Sequence, residues 1–342
     1  MKNRLIHLKE RWFPKGFRRS MHRYSNRVIR RATRPGLAKC FAELKIEPGA
    51  TICIHAAVSE LGYLSEGPQS VIFALQDAVP QCTIMMPTFP FGGPAVGYVS
   101  SDPIYDPSRT PSAMGILSET LRQMPEARRS LHPTHPCAAL GRNAGMLIDG
   151  SESSITPCGD SSTHGRLSAR DDAVVLLIHT NNTSLVHRFQ EIIDMPNLFL
   201  PEPYPVRGYG QNGQLRTYHL KIHVPDLPMY AAISRGTTGG VEYLWLADYV
   251  VQFPEARRQR VLSLIASPEA KQLLRDRQQT FFDTGVFRQA TYGAAEILAI
   301  RLQPWQDRIC RDLRQNLGTF AACYTRATLQ TAKDTGLLRR LG

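Results

Sequence analysis

The run AVVLLI at residues 173–178 is apolar at every position, so a strand formed there needs cover on both faces. Two further runs, TICIHAAV from residue 51 and TIMMPTFPF from residue 83, also predict strands. Between them lie helical patterns, with apolar residues at helical spacing in SVIFALQDAV and SAMGILSETLRQM. Alternating strands and helices are typical of α/β folds, so we predict a mostly parallel central sheet sandwiched by helices.

Two stretches depart from this alternation. QNGQLRTYHLKIH at residues 211–223 surrounds an Asn-Gly pair, which predicts an antiparallel strand insertion. From Gly240 onward the pattern is mainly helical, which predicts a helical C-terminal part. No linker or repeat is visible after residue 39. We therefore predict one α/β domain over residues 37–342, opening with a short helix at Leu37–Leu44 and preceded by an arm over residues 1–36.

The arm is strongly basic and amphipathic. Residues 1–39 hold 13 of the 41 basic residues and one of the 29 acidic ones, so they account for the whole net charge of +12. Apolar residues such as Trp12 and Phe17 lie between the arginines. Two interpretations stay open: the arm lies on an anionic membrane surface, or it packs on its own domain. Contact with nucleic acid ranks third, because the rest of the chain has no recognisable nucleic-acid module.

Cysteine usage and hydropathy bear on the compartment. The seven cysteines are scattered and form no CxxC pair, which disfavours a disulfide framework or a structural zinc site. The longest apolar runs are too short to cross a bilayer, and the chain does not open with a secretory signal pattern. We expect a cytoplasmic protein, peripheral to the inner face of the membrane if the arm binds lipid. A homo-oligomer is compatible with the sequence.

Histidines follow several predicted strands, at His55, His132, His135, His179 and His187. In open α/β sheets ligands collect at the carboxyl ends of strands, and histidine suits proton transfer near neutral pH. GxSxG, Walker and HExxH patterns are absent from the sequence, and HPTH has no carboxylate or cysteine beside it to complete a metal site. Acid–base chemistry is therefore favoured, and we expect no metal.

Five stretches, in order from His55 to Leu298, resemble the aminoglycoside 3-N-acetyltransferase family, which is distinct from the GNAT acetyltransferases. They are HAAVSELGYLSEGPQSVIFAL, MMPTFPF, YDPSRTPSAMGILSETLRQMPEARRSLHPTHPCAALG, HTNNTSLVH and TGVFRQATYGAAEIL. The resemblance implies that the chain binds acetyl-CoA and transfers its acetyl group directly to an amine of an aminoglycoside or other amino sugar, with a histidine as general base. It also implies antibiotic resistance as the biological setting.

The resemblance places the general base at His187. Residues 184–190, SLVHRFQ, occupy the family's Thr-x-x-His-x-x-Glu pattern, although one residue is inserted before the histidine. Gln190 stands where the family has glutamate, and Glu191 follows it. A further family carboxylate is expected near residues 219–224, where LKIHV has no acid. His223 or Asp226 is therefore the candidate for the role of this carboxylate. The predicted catalytic set is His187, His135, Glu191 and His223.

The remaining matches imply coenzyme contacts. Backbone donors of the loop after the first strand and of the helix opening at EGPQS suit a phosphate or a pantetheine carbonyl. The two arginines of RRSLHPTH suit coenzyme phosphates, with a solvated charge pair as the alternative. Proline after each histidine of HPTHP favours extended backbone, so we expect His132 and His135 on a rigid loop, lining the cleft or merely satisfying buried backbone groups. The predicted coenzyme-binding residues are His55, Ala56, Ala57, Val58, Ser59, Gly67, Pro68, Thr88, Ser112, Met114, Gly115, Arg128, Arg129, Ser130 and His132.

Two alternatives to an aminoglycoside enzyme stay open. The changed carboxylates are compatible with a non-catalytic binding or scaffold protein that keeps the fold. The basic arm is compatible with an acyltransferase of cell-surface polysaccharide synthesis, whose acceptor is a membrane-associated glycolipid or polysaccharide precursor.

Overall fold

The computed structural model describes residues 31–180, 183–194, 198–223 and 278–316. Most of the predicted basic arm, Asp226 and residues 240–277 of the predicted helical part lie outside these ranges. The strands are β1 Arg31–Ala32, β2 Thr51–Ala56, β3 Tyr63–Leu64, β4 Thr83–Pro87, β5 Ile104–Tyr105, β6 Arg128–Arg129, β7 Cys137–Leu140, β8 Ala173–Ile178, β9 Tyr204–Tyr209, β10 Leu215–Leu220, β11 Phe287–Tyr292 and β12 Ala295–Arg301. The α-helices are α1 Arg34–Glu43, α2 Gln69–Ala78, α3 Ala95–Ser100, α4 Ile116–Gln123, α5 Ala144–Ile148, α6 Thr163–Ser168, α7 Leu185–Ile192 and α8 Leu302–Asn316.

Seven strands form the central sheet, in the order β11-β12-β8-β2-β4-β7-β6. β2 runs parallel to both of its neighbours, β8 and β4. The other pairings, β11–β12, β12–β8, β4–β7 and β7–β6, are antiparallel. The prediction of a mostly parallel sheet is therefore confirmed only in part, because the sheet is mixed around a parallel centre. The connection from β6 to β7 holds only residues 130–136, and a parallel crossover needs about a dozen or more.

The C-terminal part also differs from its prediction. Residues 287–301 form two strands, β11 and β12, where a mainly helical pattern was expected. They are joined through Gly293, whose φ of 63° suits a tight turn, and buried residues alternate with more exposed ones from Ala295 to Ala299 of β12. In β11 the buried residues Phe287 and Ala290 are three positions apart, and so short a run is too brief for periodicity to exclude a helix. Helical structure resumes at Leu302, in α8.

The strand insertion is a separate sheet of three strands. β10 pairs antiparallel with β9, and β5 joins β9 in parallel. The turn between β9 and β10 contains Asn212, whose side-chain oxygen accepts a hydrogen bond from Gln214 N at 3.2 Å, and Gly213 with a φ of 71°. The sequence places an antiparallel pair within residues 211–223; only β10 lies there, and its partner β9 precedes the turn.

Helices cover both faces of the central sheet. Alternate residues of β2 separate the two cores: Ile52 and Ile54 pack on the side of α1 and α2, and Cys53 packs on the side of α7 and α8. All six residues of β8 are buried, as a strand covered on both faces requires. The helix predicted at Leu37–Leu44 spans Arg34–Glu43, because Thr33 caps it by accepting from Gly36 N at 3.3 Å.

The described cysteines, which exclude Cys323, are buried free thiols. Within the described ranges, no helix combines the length and hydropathy needed to cross a membrane.

Candidate active site

Three segments that are distant in the sequence bring their histidines together. His135 lies on the loop between β6 and β7, His187 on α7, and His223 just beyond β10. The ring centroids of His187 and His223 are 4.7 Å apart, and those of His135 and His223 are 6.1 Å apart. His132, on the same loop as His135, extends the cluster, and the ring centroids of these two histidines are 6.2 Å apart. The residues predicted as catalytic from the sequence thus form one cluster.

Glu191 is the carboxylate of this cluster and is nearly inaccessible, with a side chain 7% exposed. Its Oε2 accepts from Thr156 Oγ1 at 2.6 Å, its Oε1 accepts from Cys158 N at 2.9 Å, and Oε1 lies 3.3 Å from His223 Nε2. Burial alone raises its pKa, but the contact with His223 and the hydrogen bonds from Thr156 and Cys158 outweigh it, so the pKa is lowered. Glu191 is therefore ionised at neutral pH.

The imidazoles of His223 and His135 are neutral at neutral pH. Burial lowers the pKa of His223 to about 4, although Glu191 acts in the opposite direction. Burial and the neighbouring histidines hold the pKa of His135 well below its ordinary value. At neutral pH the His223–Glu191 contact is thus between a carboxylate and a neutral ring. If one imidazole of the cluster takes up a proton, its positive charge is stabilised by the ionised Glu191.

His187 lies on the third position of α7 and is partly exposed. Its Nδ1 is 3.1 Å from Gln190 Oε1, the side chain that stands where the resemblance expects glutamate. An amide oxygen at Nδ1 favours the tautomer with the proton on Nδ1, which leaves the Nε2 lone pair as the proton acceptor. The contact with Gln190 thus fits the tautomer of His187 that carries its proton on Nδ1.

The HPTHP loop is rigid for a reason that goes beyond its prolines. His132 Nδ1 accepts from the backbone N–H of His135 at 3.1 Å and from that of Thr134 at 3.4 Å. Burial lowers the pKa of His132 to about 4, so this ring keeps its acceptor at neutral pH. His135 packs edge-on against Phe89 and Phe91, with centroids 4.6 Å and 5.6 Å away. His132 therefore braces the loop that presents His135.

Sequence reasoning missed two contacts at the start of α7. His55 Nε2 lies 3.0 Å from Thr183 Oγ1, and His164 Nε2 lies 2.8 Å from Ser184 Oγ. His164 is fully buried on α6, and SSTHG is a local signal for it, because the motif places the histidine just inside a helix that Ser162 caps. His179, which also follows a predicted strand, is exposed at the end of β8, where its N–H donates to Glu296 O at 2.7 Å.

The predicted coenzyme loop follows β2 directly. His55 and Ala56 end the strand, and Val58 and Ser59 lie in a single 3₁₀ turn. The Ala57 N–H donates to Ile178 O at 2.8 Å, so the sheet uses this donor. Gly67, with a φ of 80°, and Pro68 precede the first residue of α2.

The TPSAMG stretch forms the entry to α4. Ser112 N donates to Glu119 Oε2 at 2.7 Å, and Ser112 Oγ accepts from Met114 N at 3.2 Å. Gly115 has a φ of 102°, which a residue with a Cβ rarely adopts, and α4 starts immediately after it. These hydrogen bonds thus fix the conformation of the motif at the N-terminus of α4.

Arg129 is bound inside the protein and does not project from it. Its guanidinium donates to Thr88 Oγ1 at 3.0 Å, to Thr88 O at 2.7 Å, to Pro107 O at 3.1 Å and to Thr110 O. The buried Ser130 beside it accepts from Cys137 N at 3.2 Å. Arg129, Thr88 and Ser130 therefore hold the strands and loops behind HPTHP together. Arg128 points outward and pairs with Asp149 at 2.5 Å.

These two neighbouring arginines make a matched pair for a stability test. Arg129→Ala is expected to lower the free energy of unfolding by about 3 kcal/mol, because several acceptors lose a charged donor. Arg128→Ala is expected to cost less than about 1 kcal/mol, since its ion pair is exposed. Urea unfolding followed by circular dichroism measures both. Equal losses in the two variants would contradict the internal role of Arg129.

Buried imidazoles and one ionised carboxylate, gathered beside a mixed sheet, are groups that an acid–base enzyme can use. The family model for aminoglycoside 3-N-acetyltransferase matches residues 53–310, and the chain belongs to that family. It is accordingly an N-acetyltransferase.

Individual relatives agree with this assignment. The chain is 31% identical to aminoglycoside N(3)-acetyltransferase VII of Streptomyces paromomycinus over 222 residues, which is 60% of this chain and 76% of the relative. It is 28% identical over 162 residues, 42% of this chain and 59% of the relative, to the prophage-derived aminoglycoside N(3')-acetyltransferase-like protein YokD of Bacillus subtilis.

Solved structures share the fold. AAC-IIIb in its binary complex with CoASH superposes with a TM-score of 0.60 at 22% identity, covering 84% of this chain and 97% of that one. AAC-VIa bound to sisomicin superposes with a TM-score of 0.55 at 18% identity, covering 83% of this chain and 98% of that one.

Proposed function

We propose that this chain transfers the acetyl group of acetyl-CoA directly to an amino group of an aminoglycoside or other amino sugar, with His187 as the general base. The observation that carries the proposal is the cluster of His187, Glu191, His223 and His135, assembled from separate segments in a member of this family. The CoASH complex of the related AAC-IIIb supports acetyl-CoA as the donor.

The proposed reaction is an attack of the neutral amine on the thioester carbonyl. As the C–N bond forms, His187 Nε2 removes a proton from the amine. The tetrahedral intermediate then collapses, the C–S bond breaks, and the coenzyme thiolate takes a proton back from the His187 imidazolium. A base of this kind contributes about 100- to 10,000-fold to such a transfer.

Glu191 and His223 are proposed to stabilise the charge that His187 gains. The ring of His223 lies between the two, 4.7 Å from His187 by ring centroids and 3.3 Å from Glu191 Oε1 by its Nε2. An ionised carboxylate in a poorly solvated site attracts the new imidazolium strongly. His135, packed edge-on against Phe89 and Phe91, is proposed to face the acceptor.

Direct transfer is supported by the state of the thiols near the site. Burial raises the pKa of Cys137 to about 12 and that of Cys158 well above its ordinary value. A thiol is nucleophilic only as the thiolate, so neither sulfur is prepared to carry an acetyl group. The amine is therefore proposed to react with the thioester itself.

The proposed coenzyme contacts are the loop at residues 55–59, the start of α2 at Gly67 and Pro68, and the TPSAMG entry to α4. The exposed Arg128 is the proposed partner for a coenzyme phosphate. A set of internal hydrogen bonds is proposed to support this surface from behind, and it does not contact the coenzyme. The side chains that make these bonds are Arg129, Thr88, Ser130 and His132.

An acceptor other than a polycationic drug is the second candidate, and Gln190 favours it. A neutral amide stands where the resemblance expects a carboxylate, which weakens the attraction for a substrate with several ammonium groups. An amino sugar with a single amine, such as a polysaccharide precursor, needs less negative charge. The basic residues 1–39 are compatible with such an acceptor at a membrane surface, which stays a prediction.

The test is thiol release from acetyl-CoA with sisomicin, gentamicin and glucosamine as acceptors, and mass spectrometry of the products. A product one acetyl group heavier than its acceptor supports the proposal, and the acceptor that reacts separates the drug from the simple amino sugar. Calorimetric titration with coenzyme A runs alongside. Coenzyme binding without transfer to any amine would overturn the proposal in favour of a non-catalytic protein, and the absence of both would overturn it altogether.

A further inference from the structure

The serine that opens α7 does not cap it. Ser184 is the N-cap residue, and serine there ordinarily accepts a hydrogen bond from an N–H of the first turn. Ser184 has helical angles, with φ −69° and ψ −11°, and its side chain makes no capping hydrogen bond. Its hydroxyl instead lies 2.8 Å from Nε2 of His164, which belongs to α6. The hydroxyl of Ser184 thus links α7 to α6 and does not cap its own helix.

α6 holds His164 in a fixed position. Ser162 caps this helix by accepting from Gly165 N at 3.0 Å. Gly165 lies against residues 159 and 160, where an added Cβ would come within 2.7 Å of Asp160 Cα, so the helix is pressed onto this loop. His164 itself has no exposed surface. Its ring therefore has little freedom to follow a movement of Ser184.

The segment over residues 156–168 supports α7 at two further places. Arg188 donates to Ser168 Oγ at 2.9 Å and to Cys158 O at 3.1 Å. Glu191 accepts from Thr156 Oγ1 and Cys158 N, as described above. The His164–Ser184 contact is the support at the N-terminal end, and His187 lies between it and Arg188. The His187 N–H donates to Ser184 O at 3.2 Å, so these two residues share one turn of backbone.

We propose that His164 is a positioning residue, which sets the orientation of the His187 imidazole by holding Ser184 and with it the first turn of α7. This inference rests on the proposed function of His187. Nothing in the contact requires His164 to touch either substrate. Its effect would pass through about one helical turn, the distance from Ser184 to His187.

The other ring nitrogen of His164 indicates the direction of the hydrogen bond. Nδ1 lies 3.5 Å from Thr163 Oγ1, whose hydroxyl donates to Cys137 Sγ at 3.0 Å and keeps its lone pairs free for an Nδ1–H. The Nε2 lone pair then accepts from the Ser184 hydroxyl. Burial and the neighbouring His55 and His187 lower the pKa of His164 to about 3, so the acceptor persists at neutral pH.

The test compares variants that keep or remove this hydrogen bond. His164→Gln keeps a polar group near the position of Nε2, and the amide serves as donor or acceptor. His164→Leu has a similar volume and neither capacity. Ser184→Ala removes the partner, and the double variant His164→Leu/Ser184→Ala completes a cycle. Ser153→Ala is the matched control, because it too removes one serine hydroxyl, bonded to Gly150 O at 2.8 Å, away from α7.

Two readouts are measured on the full chain: kcat and KM for acetyl-CoA, and the NMR signals of the His187 imidazole during a pH titration. We expect His164→Leu and Ser184→Ala each to lower kcat by about 10- to 30-fold with KM nearly unchanged, as loss of an interaction that orients the reacting group does. The double variant should be no worse than either single one. His164→Gln should recover most of kcat, and Ser153→Ala should match the parent.

The NMR readout separates this inference from the proposed function. If the parent protein transfers no acetyl group, the proposed function fails, yet a changed His187 signal in Ser184→Ala still supports positioning. An unchanged His187 signal in Ser184→Ala overturns the inference, as do additive losses in the double variant or a His164→Gln enzyme as slow as His164→Leu. Should His164→Leu not fold, Ser184→Ala and its NMR signal decide the matter.

Discussion

The substitution His187→Ala is expected to lower kcat for acetyl transfer by about 100- to 10,000-fold, the range that a positioned general base contributes. The amine must lose a proton as it attacks, and without the imidazole only water is left to accept it. The proposed coenzyme contacts do not involve this side chain, so KM for acetyl-CoA should stay nearly unchanged. Steady-state kinetics of thiol release, with the best acceptor from the panel, measure both constants.

The control for this substitution is His219→Ala. His219 is an exposed histidine on β10 and belongs to no part of the cluster described above. It should retain the activity of the parent. Added imidazole provides a second check, because a free base entering the space left in His187→Ala should restore part of kcat. A variant at position 187 that keeps more than about a tenth of the parent kcat would remove His187 from the role of general base.

The elements of the fold could be predicted where side-chain periodicity decides them. The AVVLLI run of β8 and the helical spacing of α2 and α4 require nothing beyond the local sequence. Strand direction is different, because it depends on how long a connection is and where it returns. β7 runs antiparallel to β4, which no local pattern indicates, and β11 and β12 are short strands in a region whose sequence also suits helices.

The candidate site divides in the same way. The TSLVHRFQE and HPTHP segments could be recognised from their order along the chain, and the structure brings His187, Glu191, His135 and His223 together. The environment of Arg129 could not be foreseen, because its acceptors come from Thr88, Pro107 and Thr110, which meet only in the folded chain. His164 was missed for the same reason: its partner Ser184 is 20 residues away.

Burial of so many neutral imidazoles has a consequence for stability. Each is prevented from taking up a proton that it would accept in the unfolded chain. Burial lowers the pKa of His55, His132 and His223 to about 4 and that of His164 to about 3, while that of His135 lies well below its ordinary value of 6.5. Between pH 6.5 and about 4 the unfolded chain therefore binds more protons than the folded one, so acid favours unfolding.

We expect the free energy of unfolding to be constant between about pH 7 and about pH 8 and to fall below pH 6.5, since each histidine that stays neutral in the folded state removes up to about 1.4 kcal/mol per pH unit. The five together approach a slope of about 7 kcal/mol per unit, comparable with the whole stability of a typical domain, so most of the stability should be lost by about pH 5. Urea unfolding at a series of pH values from 8 to about 5, with circular dichroism as the probe, measures the slope.

Two histidine variants make the prediction specific. His55→Gln replaces a buried imidazole with a group that does not titrate. The slope of the free energy of unfolding against pH should therefore decrease by about 1.4 kcal/mol per pH unit, the value for one proton. His219→Gln changes an exposed histidine and no buried one, so it should leave the slope as it is in the parent. A free energy of unfolding that stays level from pH 6.5 to 5 would mean that these rings reach water or pick up protons in the folded state. In that case Glu191 would face charged imidazoles, and the description of His223 and His135 as neutral rings beside an ionised carboxylate would be wrong.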